Sequence, residues 1–548
     1  MSEYFRKVDD TRLVHYENIY HDLFNPVDYI ESTDVVSTMY SSAADIKVFL
    51  KDNRDKPFIE CEYTHSMGNS NGAMHKYTEL AYEEPLYQGG FIWDYIDQSL
   101  NLKDRYGHEY QGYGGDFGDR PCDYSFSGNG IAYGGDSRES SPKMQEVKYN
   151  YQNIVGEIAG GKIKIVNRNL FVNTQEYDCI VTLEKEGRTI QEVSIDTHTE
   201  PLSTDVYDMP FEVECNKGEY VVTVSFRLPE DTKWAKRGHE VAYIQTTVGT
   251  YVAPQGEKRE LTVVEGWHNI GIRSDEFEVI FSRIHAGLVS YKYGGQQMLA
   301  GIPKPNFWRA MTENDIANQL PFRAGQWKVA SMYPSIKSEH GRKADNYTIE
   351  KFHDHVNVTY VYHLATKPIV DCTLSYDVYG DGEIEVTLTL PPSDKVGELP
   401  ELSVVMAMDA DFDRLTWYGL GPDETYADRK HAKVGVYSNK VAENVARYLV
   451  PQECGFKEDV RFATVTNSKG RGLRFTCNNL GFSALPYSVH ELDNATHPTE
   501  LPLPHFTYVR VGKQMGIAGD DTWGALTHPE YMLDNSKEMQ IKYSFKGI

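Results

Sequence analysis

Glu62 closes a short apolar run, PFIECEY, and is followed at once by His65 and a loop of small polar residues, SMGNS. A carboxylate at the end of a buried strand has two uses. It accepts hydrogen bonds from loop amides, or it attacks or protonates a bound substrate. The local pattern leaves both open. Other strand-like runs end the same way, in Tyr16-Glu17, Met39-Tyr40 and Trp93-Asp94. Polar and aromatic groups collected at strand ends are what a β/α barrel presents on its active face. On the residues alone, Tyr40 also reads as a half-buried strand aromatic, His65 as a solvated loop side chain and SFSGNG as a plain turn. Trp523, in GDDTW, also reads as a sandwich-core residue.

The elements that must position these groups follow from periodicity. SEYFRKV reads as the tail of an amphipathic helix and Asp9-Asp10 as a turn. The apolar runs LVHYE, VVSTMY, PFIECEY and GGFIWDYID then alternate with helical SAADIKVFLKDN and GAMHKYTELAYE, which implies parallel βαβ units. A closed barrel of this kind takes eight strands. Residues 1–152 are therefore expected to be the C-terminal half of a β/α (TIM) barrel, with the sequence beginning inside the helix that precedes its first strand. Four strands would leave open parallel edges.

After this the period becomes two. GKIKIVNRN, YDCIVTLEKEG, RTIQEVSID and GEYVVTVSFRLP alternate apolar and polar residues, predicting an immunoglobulin-like sandwich over 153–250. APQGEKREL reads as a linker. Strand-rich sequence from 262 to 548, with a Gly-Asp-Gly hairpin signal in YGDGEIEV, predicts a large antiparallel sandwich. The fold class expected is multidomain, α/β plus all-β.

Composition narrows the partners. A net charge of −25 argues against nucleic acid and anionic membranes and leaves neutral ligands. The 38 Tyr, 22 Phe and 7 Trp suit sugar rings as well as sandwich cores. The seven Cys are scattered and never spaced CxxC, which fits reduced thiols rather than a disulfide frame or a zinc site. No apolar run reaches the ~18 residues of a membrane helix, and the N-terminus lacks an apolar signal core. A cytoplasmic protein is expected.

ECEYTHSMGNSNGAMHKY, QGGFIWDYIDQSL, YGGDFGD and NGIAYGGD, in that order and spacing, resemble the glycoside hydrolase family 2 β-galactosidases. SPKMQEVKYNYQ, NFWRAMTENDI, WYGLGPDETYADR and MGIAGDDTWG extend the resemblance over essentially the whole chain. It implies hydrolysis of β-D-galactosides such as lactose by a retaining mechanism. Glu62 takes the nucleophile's place and Tyr40 that of the Tyr that hydrogen-bonds it. His65 and Trp93 match galactose contacts, and Trp523 a leaving-group contact. Phe126, through its carbonyl, and Asn129 match sodium ligands, the ion in turn holding the galactose 6-hydroxyl. In WYGLGPDETYADR, Asp428-Arg429 is expected to form a fixed ion pair.

Two departures are peripheral: Cys454 stands in PQECG where the family has Asn, and Ser127 in FSGNG where Cys is common. A third is not. The family's acid/base Glu sits in an Asn-Glu-Ser segment placed upstream of Met1, as are the main magnesium ligands and most galactose-hydroxyl contacts. Glu17, Asp94 and Asp97 lie near strand ends, but none has the Asn-Glu context. The expectation is a partial chain that supplies the nucleophile and meets its N-terminal half in cis or as a second chain, a homo-oligomer when complete. The alternative is a non-catalytic carbohydrate-binding or complementing subunit.

Overall fold

The computed structural model describes the whole chain except residues 28, 214–217, 255–258, 336–346 and 523. It opens with α1, Ser2–Val8, which buries none of its side chains. LVHYE does not form the expected strand. The Val14 amide donates to the Asp34 carboxylate, the Asp34 amide to the Val14 carbonyl and the Tyr16 amide to the Thr33 hydroxyl. These backbone groups are satisfied at one crossing with no ladder, and a 3-10 turn, Glu17–Tyr20, follows and buries Ile19 and Tyr20.

Three strands do form: β1 (Val36–Met39), β2 (Phe58–Tyr63) and β3 (Tyr87–Ile92), paired in parallel in that order. Helix α2, Ala43–Asp52, joins the first two. Ser42 caps it by accepting the Asp45 amide, and its Ile46, Phe49 and Leu50, at helical spacing, are buried. Helix α3, His75–Glu83, joins β2 to β3 and buries Tyr77 and Leu80. These apolar faces share one core with Phe58, Tyr63 and Tyr87. A ribbon, β4 (Leu100–Lys103) and β5 (Glu109–Gly112), and helix α4 (Met144–Asn150) complete the half-barrel.

Two small antiparallel sheets follow. Ile154–Ala159, Lys162–Asn167 and Ser203–Asp208 form one. Asp178–Lys185, Arg188–Ile195, Tyr220–Arg227 and Glu240–Val248 form the other. Ile163, Ile165, Val181, Val224 and Phe226 are fully buried between them, as the period-two sequence requires. Beyond residue 261, a five-stranded meander and a twelve-stranded sheet enclose the largest core, which includes Trp308, Trp327, Tyr360 and Tyr376. The Gly-Asp-Gly signal is a tight hairpin between Asp371–Tyr379 and Ile384–Leu390, closed by the Tyr379 amide on the Glu383 carbonyl. Among the described residues no helix is long and apolar enough to cross a membrane.

Candidate active site

The C-terminal end of β2 is irregular. Thr38 pairs with Glu60 but Met39 pairs with Glu62, while on the other side Glu60 pairs with Gly90 and Tyr63 with Ile92. Both registers place one extra residue in β2 around Cys61-Glu62. A bulge of this kind re-aims a side chain at the strand end. The re-aimed side chain is Glu62. The Tyr40 hydroxyl donates to Glu62 Oε2 at 2.6 Å, and the Tyr40 amide donates to the Glu62 carbonyl at 3.0 Å. Burial, and then the Glu62 carboxylate itself, raise the Tyr40 phenol well above its ordinary value, so it stays a donor. Tyr40 has φ +58° and Thr64, on the far side of Glu62, +45°. Left-handed backbone at a non-glycine residue costs on the order of 1–3 kcal/mol and collects at functional sites.

His65 is fully buried, with Nδ1 hydrogen-bonded to the Thr522 hydroxyl. Its ring lies edge-on to Tyr40 at 5.9 Å and tilted against Phe126 at 5.4 Å. Burial, reinforced by the Lys143 cation, pulls the imidazole down to about 3, so it is neutral. Lys143 is itself buried and donates to the Ser66 carbonyl; burial pulls its ammonium down to about 8, against the pull of Asp97.

Trp93 follows β3 and is 37% exposed. Its amide bonds to the Tyr63 carbonyl and its carbonyl accepts the Ser66 amide at 2.7 Å, so the loops after β2 and β3 are stitched together. The Asp94 amide donates to the Asn129 carbonyl at 2.6 Å, and Asp97 holds the Gly130 amide at 2.8 Å. A Cβ on Gly130 would fall 2.1 Å from the Asp97 nitrogen, so only glycine fits there. Asn129 is buried, and among the described residues its Oδ1 has no hydrogen-bond partner. A buried, unpaired carbonyl oxygen fits a hard cation such as sodium, which takes oxygen ligands. Phe126 stands three residues ahead, in the 3-10 turn Tyr124–Ser127. Trp523 lies outside the described residues.

The large sandwich grips the loop that follows β2. The Asn69 amide donates to Gln452 Oε1 at 3.0 Å and Asn69 Nδ2 to the Glu453 carbonyl at 2.8 Å. Gln452 Nε2 also reaches buried Glu313, which accepts from Ser125. Arg429 donates to the Ser70 carbonyl at 2.6 Å. The expected Asp428–Arg429 pair is corrected here: Arg429 pairs with Glu424 at 2.7 Å, while Asp428 accepts the amides of Ile517 and Ala518. A reversal in which Tyr426 and Arg429 exchange backbone bonds separates the two neighbours.

Three contributors were not singled out from sequence: Thr522, Lys143 and Glu313. Each lies inside a quoted motif, GDDTWG, SPKMQEV or TENDI, so the motif was visible and the contact was not. Glu60 is a fourth. It is fully buried on β2, accepts from Thr38, and burial raises its carboxyl well above the usual range. Of the other carboxyls considered, Asp97 is engaged in holding its turn and Asp94 accepts from Gln98.

Residues 1–155 match the glycosyl hydrolases family 2 TIM barrel domain, 163–249 the β-galactosidase domain 4, and 273–546 the β-galactosidase small chain. The chain is 41% identical to a β-galactosidase of Halalkalibacterium halodurans, over all of this chain and 54% of that protein. It is 39% identical to one of Priestia megaterium, over all of this chain and 53% of that protein. For one of Streptococcus thermophilus the identity is 36%, over all of this chain and 54% of that protein. The chain thus spans about half the length of these relatives.

Proposed function

The chain belongs to the glycoside hydrolase family 2 β-galactosidases, and on that footing we propose that it supplies the nucleophile half of a retaining β-galactosidase active site. The observation that carries the reading is the bulged end of β2, where Tyr40 donates to Glu62 beside His65 and Trp93. Glu62 attacks the anomeric carbon of a terminal β-D-galactoside such as lactose. A galactosyl ester forms as the glycosidic bond breaks, and water then releases β-galactose. Tyr40 holds the carboxylate in line and donates to it again as it leaves. Neutral His65 serves as a hydrogen-bonding partner for a sugar hydroxyl, and Trp93 as a platform for the apolar face of the ring. Trp523 is assigned to the leaving-group sugar on family grounds.

A retaining site needs a second carboxyl about 5–5.5 Å from the first as acid/base. We assign that role to no residue of this chain; a polypeptide that completes the barrel, in cis or as a second chain, supplies it. Sodium would be held by Asn129 Oδ1 and the Phe126 carbonyl, where it supplies a fixed positive charge for a sugar hydroxyl. Magnesium is given no ligand here. The free thiols of Cys61, Cys122, Cys179, Cys372, Cys454 and Cys477 support a reducing, cytoplasmic setting, and assembly into a homo-oligomer belongs to the same proposal.

The test is covalent trapping in the barrel-completed protein. A 2-deoxy-2-fluoro galactoside with a good leaving group slows breakdown of the intermediate. Mass mapping is expected to find the sugar on the peptide carrying Glu62, and Glu62→Gln to abolish both label and turnover. A label on Glu17, Asp94 or Asp97, or a fully active Glu62→Gln protein, overturns the assignment.

A further inference from the structure

Outside this site, three side chains from three separate elements converge. His75 opens α3, Glu146 lies on α4, and His431 sits in the sandwich loop ahead of the strand Lys433–Lys440. One ligand atom from each lies within 4.8 Å of the other two. The chain brings them together across 71 residues in one step and 285 in the next, so no sequence spacing announces them.

Each group is prepared in a different way. Glu146 is buried, and its carboxylate is oriented by Asn150 Nδ2 at 2.9 Å and by the His431 amide at 3.1 Å. His431 lies flat on the Tyr149 ring at 4.5 Å and directs Nδ1 to Glu146 Oε1 at 2.6 Å. His75 packs edge-on against His431 at 5.1 Å, and its Nε2 reaches the Tyr531 hydroxyl at 3.3 Å. Its Nδ1 is buried and has no hydrogen-bond partner among the described residues. A buried ring nitrogen left without a partner is costly unless something else occupies it. Lys76, a cation that acts on His75, is already paired with Glu530, while Glu79 adds negative charge facing His75.

We propose that His75, Glu146 and His431 bind one divalent transition-metal ion of the zinc class, which clamps the half-barrel to the large sandwich. Two imidazoles and one carboxylate select zinc, cobalt or nickel over magnesium or calcium, which prefer all-oxygen shells. Three protein ligands leave a fourth position for water. Around zinc, donors at ~2.0–2.2 Å from the ion sit roughly 3.5 Å apart, so a modest inward turn of the partly buried imidazoles closes the site. Binding replaces the His431–Glu146 hydrogen bond by two coordinate bonds, and the proton that His431 Nδ1 shares with Glu146 passes through solvent to Nε2, so that the ligand is a neutral imidazole. Asn150 and the His431 amide already hold the carboxylate in the manner of the outer-shell partners of metal sites. The Ala73 amide donates to the Asp428 carbonyl at 2.7 Å, a direct link between the same two segments. The ion therefore adds stability to a contact that exists.

Chelator-treated residues 1–548 are titrated with Co2+, then competed with Zn2+. One equivalent is expected to bind with visible d–d bands, and Zn2+ to displace it and raise the unfolding midpoint. His75→Asn and His431→Gln are each expected to weaken binding by more than the ~10–100-fold that loss of a supporting partner costs, and to remove the zinc-induced rise in midpoint. X-ray absorption of the zinc-loaded parent reads the shell without any variant and is expected to show imidazole and oxygen donors only. No stoichiometric binding, a shell containing sulfur, or unchanged binding in a protein carrying both His75→Asn and His431→Gln overturns the proposal.

Discussion

Tyr40 holds Glu62 twice, hydroxyl to Oε2 at 2.6 Å and amide to carbonyl at 3.0 Å. The second contact fixes the strand end, so the first can be removed without moving the backbone. Tyr40→Phe is expected to fold normally and to slow turnover in the barrel-completed enzyme by about 10²–10³-fold, the usual effect of losing one aimed donor. Breakdown of the galactosyl ester should slow as well, because the departing carboxylate loses its donor. A burst of aglycone followed by slow steady-state release checks this. Since the phenol is pushed upward by burial and by Glu62, the alkaline limb of the pH profile should be the same in the parent and the variant.

Glu313 gives a pH-dependent stability with a definite sign. It is buried, accepts from Ser125 and Gln452, and burial pushes its carboxyl up to about 7. Between the ordinary value of 4.5 and about 7 the folded protein keeps this proton and the unfolded chain does not, so stability falls as pH rises through that window. Glu313→Gln removes the dependence. Relative to the parent, the variant is expected to gain up to ~3 kcal/mol on going from pH 4.5 to 8, with no further gain above. Urea unfolding of both proteins at a series of pH values measures the difference, and other titrating groups cancel in it. A constant difference across the window would contradict the argument.

How much of this was readable before the structure depends on the range of the interactions. The strands β1 to β3 were legible because apolar runs ending in polar residues have one economical arrangement. LVHYE has the same texture but forms no strand, since Asp34 and Thr33 take its amides. The bulge at Cys61-Glu62 was not legible: FIECEY alternates without any sign of an extra residue. The residues alone left Glu62, Tyr40, His65 and Asn129 open; these and Trp93 could be singled out because the motifs that carry the family resemblance are short and local. The Thr522–His65 contact joins residues 457 apart, and the metal-type cluster joins three elements. Such meetings are set by packing of whole domains, which no local pattern encodes. The Asp428-Arg429 reading failed for the opposite reason: neighbours in sequence were taken as partners, and the turn sends them to different ones.

Arg429 is the test of how the sandwich holds the loop after β2. It is buried, pairs with Glu424 at 2.7 Å and donates to the Ser70 carbonyl at 2.6 Å. Arg429→Met leaves Glu424 buried with, among the described residues, the Tyr448 hydroxyl and the Gly455 amide as its donors. Breaking a buried pair from one side costs about 3–5 kcal/mol. Denaturant unfolding is expected to show that loss, and adding Glu424→Gln to recover part of it. Hydrogen exchange is expected to speed up more in residues 66–72 than in the remote strand Ile384–Leu390. Equal changes in both would mean that the ion pair stabilises the sandwich without fixing the loop.

Asn129 separates ion binding from folding. Its Oδ1 is buried without a partner among the described residues, so replacing it breaks no hydrogen bond seen at that atom. Asn129→Ala is expected to change unfolding stability by less than about 1.5 kcal/mol, the scale of one net hydrogen bond. If the oxygen is a sodium ligand, the variant needs more sodium for half-maximal hydrolysis in the barrel-completed enzyme. The galactoside KM should rise more than kcat falls, because a lost anchor for a sugar hydroxyl weakens ground state and transition state together. Asn129→Asp keeps an oxygen at the same place and is expected to restore part of the sodium response. Activity is followed against NaCl at constant ionic strength, with choline as the replacing cation. A sodium dependence identical in the parent and Asn129→Ala would remove Asn129 from the cation site and leave its orphaned oxygen to a water molecule.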